Sequence, residues 1–217
     1  MSLAVHSLPD PRAMAAAQQR TRAGRLRMLL VVAICAAPVL ASYFTFYVIK
    51  PGGRAYSELI TPTVDMPAAL TLRDLDGKAV TAESLKGQWL LTLVQDSACA
   101  QDCERLLFMQ RQLREMLGKE RDKLDKVLLL ADEAPLRPEL QQALTAQPPV
   151  TILRAPRAEL QAWLKPAAGQ RLEDSFYLVD PMGRWMLRSP AQPDPSKLKK
   201  DLERLMKANA GWDKPGR

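Results

Sequence analysis

The stretch that decides the fold is residues 89–117, which read WLLTLVQDSACAQDCERLLFMQRQLREML. Residues 89–94 are almost all apolar, the pattern of a central strand that is covered on both faces. After Cys99 and Cys103, apolar residues recur at three- and four-residue spacings and predict an amphipathic helix that stops at Gly118. This strand and helix belong to an alternation of β and α elements along the chain, the pattern of an α/β domain.

Strand and helix patterns alternate through the rest of the chain. Asp76-Gly77 is the signature of a hairpin turn, and Asp194 followed by Pro195 is the signature of a helix start. Further strands are predicted at 69–73, 79–81, 127–131, 150–153, 176–179 and 185–187, and further helices at 138–144, at 158–164 and after Asp194. A hairpin, alternating β and α elements, a second hairpin and a closing helix predict an α/β sandwich.

Composition excludes several classes of protein. The 217 residues are 47% apolar and 25% charged and contain 3 cysteines, which excludes a disordered tail, a collagen-like fibre and a disulfide scaffold. The net charge of +7 is concentrated at the start, because residues 1–27 hold five arginines and one aspartate. Both signs are interspersed elsewhere, so we expect no nucleic-acid partner.

Residues 28–49 contain no charged side chain. As a helix they would span about 33 Å, the thickness of the hydrocarbon core of a bilayer. Arginines precede the segment in excess over the cations that follow it, so the positive-inside rule predicts a cytoplasmic N-terminus. The sequence therefore predicts a single-pass protein of the bacterial inner membrane, in contact with membrane lipid, with its C-terminal domain in the periplasm.

The expected domain organisation has five parts. They are a basic cytoplasmic leader (1–27), a transmembrane helix (28–49), a linker rich in proline and glycine (50–67), the folded domain (68–210) and a tail (211–217). A cleavable signal peptide is the alternative, but the apolar stretch exceeds the usual length of a signal-peptide core. Lipidation of Cys35 is disfavoured, because Ile34 is bulky where a processing site requires a small residue.

Cys99 and Cys103 are the candidate catalytic and metal-ligating residues. Residues four apart share one face of a helix, so both sulfurs can bind one metal ion or each other. The positive end of a helix dipole favours a thiolate, whereas the carboxylates of Asp96, Asp102 and Glu104 oppose it. A redox pair, a metal pair and a structural disulfide all remain open. For either of the first two roles, we expect the sulfurs at an exposed loop, with Cys99 the more accessible.

The only histidine, His6, lies in the leader. The predicted periplasmic domain therefore has no imidazole, which excludes a Ser-His-Asp hydrolase, a Cys-His protease and a His-ligated zinc site. No glycine-rich phosphate loop is present either. A thiol–disulfide oxidoreductase remains the candidate enzyme class.

Four motifs carry a resemblance to a known family. They are Cys99-Ala100-Gln101-Asp102-Cys103 after the apolar strand, Asp76-Gly77-Lys78 and Leu85-Lys86-Gly87-Gln88-Trp89 before it, and Tyr177-Leu178-Val179-Asp180-Pro181-Met182-Gly183-Arg184 near the end. In this combination they resemble the Sco/SenC family. The resemblance implies a thioredoxin-like domain tethered to a single N-terminal transmembrane helix, and a role in copper delivery or thiol reduction during cytochrome c oxidase assembly.

The chain departs from that family at one position. Sco proteins have a copper-ligating histidine shortly before the motif at residue 177, whereas residues 170–175 here read QRLEDS. Two thiolates can still hold Cu(I) in a linear site, but Cu(II) loses a donor that it favours. The thioethers of Met109, Met116 and Met182 are further candidate ligands, but methionines at such positions are more typical of core packing or turns. The carboxylates of Glu173 and Asp174 are also candidates, but a solvated surface role fits both better.

Two hypotheses follow. The first is a membrane-anchored Sco-like factor that exchanges electrons or Cu(I) through Cys99 and Cys103, with a subunit of a terminal oxidase or another copper or thiol protein as its partner. The second is a non-catalytic assembly or interaction protein on a thioredoxin-like scaffold, in which the cysteine pair is a structural disulfide.

Overall fold

The computed structural model describes residues 11–49, 55–146, 148–209 and 211. The chain divides into two compact units, Met1–Arg54 and Ala55–Arg217.

The N-terminal unit contains one long helix, α1 (Pro11–Phe44), which continues as a π-helical turn over Thr45–Ile49. Its segment Gly24–Phe44 is long and apolar enough to cross a membrane. The helix begins inside the expected leader, so residues 11–27 and the apolar segment form one continuous element. Residues 1–10 of the leader lie outside the described part of the chain.

The second unit is built on a mixed sheet of eight strands in the order β1-β8-β7-β4-β5-β6-β2-β3. The strands are β1 (Glu58–Asp65), β2 (Leu72–Arg73), β3 (Ala79–Val80), β4 (Trp89–Gln95), β5 (Leu124–Leu130), β6 (Thr151–Arg154), β7 (Tyr177–Val179) and β8 (Arg184–Arg188). Strands β4, β5 and β6 are parallel and the remaining pairs are antiparallel. The helices are α2 (Gln101–Met116), α3 (Pro138–Thr145), α4 (Arg157–Trp163) and α5 (Pro195–Ala208).

The hydrophobic core lies on both faces of this sheet. Every residue of β4 is buried, because alternate side chains enter opposite layers. Leu91 and Leu93 pack with α2 and α5, whereas Leu90 and Val94 pack with α4 and with Trp185 of β8. The prediction of a central strand covered on both faces is therefore confirmed, together with the α/β sandwich.

The turns and helix ends follow their local signals. Gly77 has a φ of +82°, which suits the turn between β2 and β3, although both strands are shorter than predicted. Helix α2 ends at Met116, just before Gly118. At the start of α5, the Asp194 carboxylate accepts a hydrogen bond from the Lys197 N–H at 3.0 Å, which confirms the predicted cap.

The linker expected at 50–67 is too long at its C-terminal end. Residues 58–65 form β1, which pairs with β8 at one margin of the sheet. Pro62 suggested a tether, but a proline is tolerated in an outermost strand. It lies where the register of β1 against β8 shifts, between Leu59 and Val64. The folded unit therefore begins before residue 68, and most of the expected tail at 211–217 lies outside the described residues.

Candidate functional site

The cysteine pair lies where β4 leads into α2. The strand ends at Gln95, the helix begins at Gln101, and Cys99 and Cys103 form a disulfide with 5.1 Å between their Cα atoms. Cys99 has a φ of +36°, in a region that residues with a Cβ seldom adopt. Its N–H donates to the carbonyl of Asp96 at 3.0 Å. This tight turn brings the Cys99 sulfur back against the first turn of α2.

The prediction that both sulfurs lie at an exposed loop is wrong. Cys99 is 4% exposed and Cys103 is 5% exposed, and both belong to the apolar cluster that contains Leu106 and Leu107 of α2. The loop predicted to present them instead folds back onto the helix and buries the bridge. Solvent exposure therefore gives no reason to expect that Cys99, rather than Cys103, is the thiolate that first attacks a partner disulfide.

Polar contacts fasten this loop to the segment after β5. The Asp132 carboxylate accepts hydrogen bonds from the N–H of Ser97, at 3.0 and 3.1 Å, and from its hydroxyl. The Arg137 guanidinium donates to the carbonyl of Cys99 at 2.9 Å and forms an ion pair with Glu104. Sequence reasoning missed Asp132 and Arg137. Asp132 had a signal, since the carboxyl ends of neighbouring parallel strands meet at one edge of a sheet.

A cleft of about 210 Å³ opens beside the disulfide, and Cys103 forms part of its wall. Arg171, Glu173 and Asp174 line the same cleft. The structure thus brings Cys103 together with residues 170–175, the stretch in which the resemblance places a copper ligand.

Both acidic side chains of that stretch are already paired. Glu173 forms an ion pair with Arg157 at 2.6 Å, and Asp174 forms one with Arg171 at 2.9 Å. Burial disfavours the Asp174 carboxylate, but hydrogen bonds from the backbone and guanidinium of Arg171 outweigh it and hold its pKa below the ordinary value. Hard, ion-paired carboxylates are poor ligands for Cu(I).

The lowered pKa of Asp174 predicts a pH-dependent contribution to stability. A carboxylate of this kind stabilises the fold above its ordinary pKa of 3.8, and the contribution disappears as the pH falls through the lowered folded-state value. We expect Asp174→Asn to lower the free energy of unfolding by about 1 kcal/mol at neutral pH and to match the wild type in acid. Urea unfolding between neutral pH and acid measures the difference, with Asp76→Asn as the control. If Asp174→Asn remains less stable than the wild type in acid, the stabilising role of the ionised Asp174 carboxylate is contradicted.

The candidate thioether ligands lie elsewhere. Met109 packs against the core, and Met116 is about 20 Å along α2 from Cys103 by helical rise. Met182 follows β7, whose Val179 pairs with Leu90 at the start of β4, the end opposite the cysteines. Across the described part of the chain, no group of three or more His, Cys, Asp or Glu residues is arranged to hold a metal ion.

The arrangement supports two kinds of chemistry. As a disulfide, the pair can take up two electrons from a dithiol; as a dithiol, it can return them. When reduced, its two sulfurs are soft donors suited to linear Cu(I), whereas the described residues contain no histidine and so supply no imidazole for Cu(II).

The comparisons with known proteins agree with this fold. The family model "Transmembrane-like, thioredoxin-like, C-terminal domain" matches residues 89–209. No curated protein matches the chain significantly. Yeast Sco1 with copper bound superposes with a TM-score of 0.55 at 19% identity, covering 70% of this chain and 98% of that one.

Two further structures have the same fold. A SCO1/SenC family lipoprotein from Bacillus anthracis gives a TM-score of 0.51 at 19% identity and covers 67% of this chain and 98% of its own. Arabidopsis thaliana ScoI with copper bound gives a TM-score of 0.51 at 17% identity and covers 67% of this chain and 99% of its own. This chain belongs to the family of transmembrane-like proteins with a thioredoxin-like C-terminal domain, and it has the fold of the Sco/SenC proteins.

Proposed function

We propose that this chain is a membrane-anchored Sco-like factor that handles thiols, disulfides and Cu(I) during cytochrome c oxidase assembly. The observation that carries the proposal is the Cys99–Cys103 bridge, which joins the loop after β4 to the first turn of α2 and has Cys103 in the wall of a cleft. The oxidase context comes from the Sco/SenC motifs. Two of the similar structures contain copper, which agrees with the copper part of the proposal.

The redox reaction is a thiol–disulfide exchange. In the reduced chain, one cysteine thiolate attacks a disulfide of the partner, forms a mixed disulfide and releases a partner thiolate. The second cysteine then attacks the mixed disulfide, which restores the Cys99–Cys103 bond and releases the second partner thiolate. Two electrons pass to the partner, and its two thiolates take up the two protons lost by the cysteines. The cleft beside Cys103 is the route of approach, because both residues are otherwise buried.

Cu(I) is proposed as a cargo of the reduced pair. Two thiolates hold this ion in a linear site without a third ligand. In a background with Cys35→Ser, the reduced full chain in detergent is expected to bind one Cu(I), and Cys103→Ser is expected to abolish binding. Competition with a chromogenic Cu(I) chelator measures the stoichiometry. Asp76→Asn, at an exposed carboxylate of the turn between β2 and β3, is the control that keeps both thiols. If Cys103→Ser bound Cu(I) as the parent chain does, the proposed Cu(I) site at Cys99 and Cys103 would be contradicted.

A non-catalytic assembly or interaction protein is the second candidate, and the burial of both cysteines favours it. A structural bridge resists mild thiol reductants until the domain unfolds, whereas an exchanging bridge is reduced in the native state. The midpoint potential of the Cys99–Cys103 couple in the full chain, measured with and without Cu(I), distinguishes the two candidates.

The proposed location is the bacterial inner membrane, with the N-terminus in the cytoplasm and the thioredoxin-like domain in the periplasm. The excess of arginine before the apolar segment supports this orientation. The proposed partner is a copper-bearing subunit of a terminal oxidase or another copper or thiol protein. Alkaline phosphatase fused after residue 217 is expected to be active, because this orientation places it in the periplasm. An inactive fusion would contradict the proposed orientation.

A further inference from the structure

A second cavity, of about 340 Å³, lies beside α2 and α3 on the sheet face that those helices cover. Its apolar wall includes Leu107 and Phe108 of α2 and Leu140 and Ala143 of α3. The volume is near the lower end of the range of about 300–1,000 Å³ found for small-molecule sites. Neither the redox reaction nor Cu(I) binding uses this cavity.

The buried cation in this cavity is Lys126. It stands on β5 between Leu124 and Leu128, so alternation directs its side chain to the face where both leucines enter the core. Lys126 is 4% exposed and lines the cavity. Its ammonium donates to the carbonyl of Pro148 at 2.6 Å.

Lys126 has no carboxylate within ion-pair distance among the described residues. Its ammonium has three donors, and the Pro148 carbonyl accepts from one of them. Burial lowers the pKa of Lys126, and the neighbouring charges of Arg114 and Arg111 lower it further. A buried cation in this setting costs free energy unless an anion joins it.

Four other charged side chains line the cavity, and their positions decide where an anion would lie. Glu139, in the first turn of α3, has no ion pair among the described residues and stands two residues from Arg137, so the carboxylates of the cavity, Glu104 and Glu139, both neighbour Arg137. Glu104 is paired with Arg137 near the start of α2, whereas Arg111 lines the cavity about 10 Å further along the helix. Within the described ranges, Arg111 has no ion pair. Arg111 and Lys126 therefore form a positive end, and the apolar side chains lie between it and the Glu104–Arg137 pair.

We propose that this cavity binds a small organic anion, a carboxylate carried on a short apolar body. The carboxylate lies at Arg111 and Lys126, where it accepts hydrogen bonds from donors that have no acceptor among the described residues. The apolar body lies against Leu107, Phe108 and Leu140. This site is independent of the proposed redox function.

The test uses phenylbutyrate as the probe and the full chain in lipid nanodiscs, with empty nanodiscs as the background in calorimetry. We expect saturable binding of one probe per chain. Lys126→Met, which keeps the apolar stem and removes the charge, should weaken binding about tenfold or more. Lys200→Met removes an exposed lysine of α5 and should leave binding unchanged. Phenylbutylamine, with the same body and the opposite charge, should not bind.

A second variant guards against misfolding of Lys126→Met. Ala143 is exposed on α3 and lines the cavity, so Ala143→Phe fills the space without disturbing the buried ammonium. It should also abolish binding, while its thermal unfolding matches the wild type. Failure of phenylbutyrate to bind would overturn the proposal. Equal binding of the amine, or binding that both variants leave intact, would overturn it too and would leave Lys126 as a brace for the loop at Pro148.

Discussion

Cys103→Ser, introduced together with Cys35→Ser, is expected to abolish thiol–disulfide exchange. The remaining Cys99 can form a mixed disulfide with a partner but has no second thiol to resolve it, so the reaction stops after one step. The disulfide closes a loop with a sequence separation of 4, and its loss should also destabilise the domain by about 2 kcal/mol. A dithiol-linked turnover assay with a disulfide peptide measures the first effect, and urea unfolding measures the second.

The matched control is Cys35→Ser alone, which keeps the bridge and should exchange at the wild-type rate. Mass spectrometry of Cys103→Ser should detect the trapped mixed disulfide on Cys99. Exchange by the wild type no faster than by Cys103→Ser, with the stability loss intact, would contradict the redox role. That outcome would identify the bridge as a structural element of a scaffold.

Leu113→Ala is expected to cause the largest loss of stability, about 2–5 kcal/mol. Leu113 is fully buried in α2 and packs in the same apolar cluster as the disulfide, so its truncation leaves a cavity beneath the helix. The matched control is Phe108→Ala on the same helix. Phe108 is 61% exposed, so its loss should change stability by no more than about 0.5 kcal/mol.

Urea unfolding of the full chain, followed by tryptophan fluorescence, measures both variants of α2. Trp89 and Trp185 are buried in the second unit and report its unfolding. A loss at Phe108→Ala as large as that at Leu113→Ala would contradict the orientation of α2. Helix propensity does not explain the expected difference, because leucine and phenylalanine differ in propensity by only a few tenths of a kcal/mol, roughly a tenth of the expected loss.

The elements predicted most accurately are those with a continuous local signal. Apolar runs at 89–94 and 127–131 identified β4 and the second half of β5, and Asp194 with Pro195 identified the start of α5. The first three residues of β5 were missed, because Asp125 and Lys126 interrupt its apolar pattern. Strand β1 was missed because its signal is not local. The side chains of β1 alternate only weakly between exposed and half-buried, and Pro62 interrupts the segment. The segment forms a strand because it pairs with β8, which lies more than a hundred residues away in the sequence.

The chemistry of the site was predictable only in part. The spacing of Cys99 and Cys103 predicted that their sulfurs could meet, and the structure joins them. Their burial depends on the turn at Cys99 and on contacts from Asp132 and Arg137, which are distant in sequence. A spacing rule describes neighbours along one helix and contains no information about what covers them.

The sheet ends in β1 at one margin and in β3 at the other. An outermost strand offers unpaired backbone groups to a second chain and can seed intermolecular strand addition. In β1, Pro62 removes a donor at the point where the register shifts, and at the other margin β3 is only two residues long. Both margins of the sheet are therefore blunt and oppose cross-β stacking, which favours dispersed chains over aggregated ones.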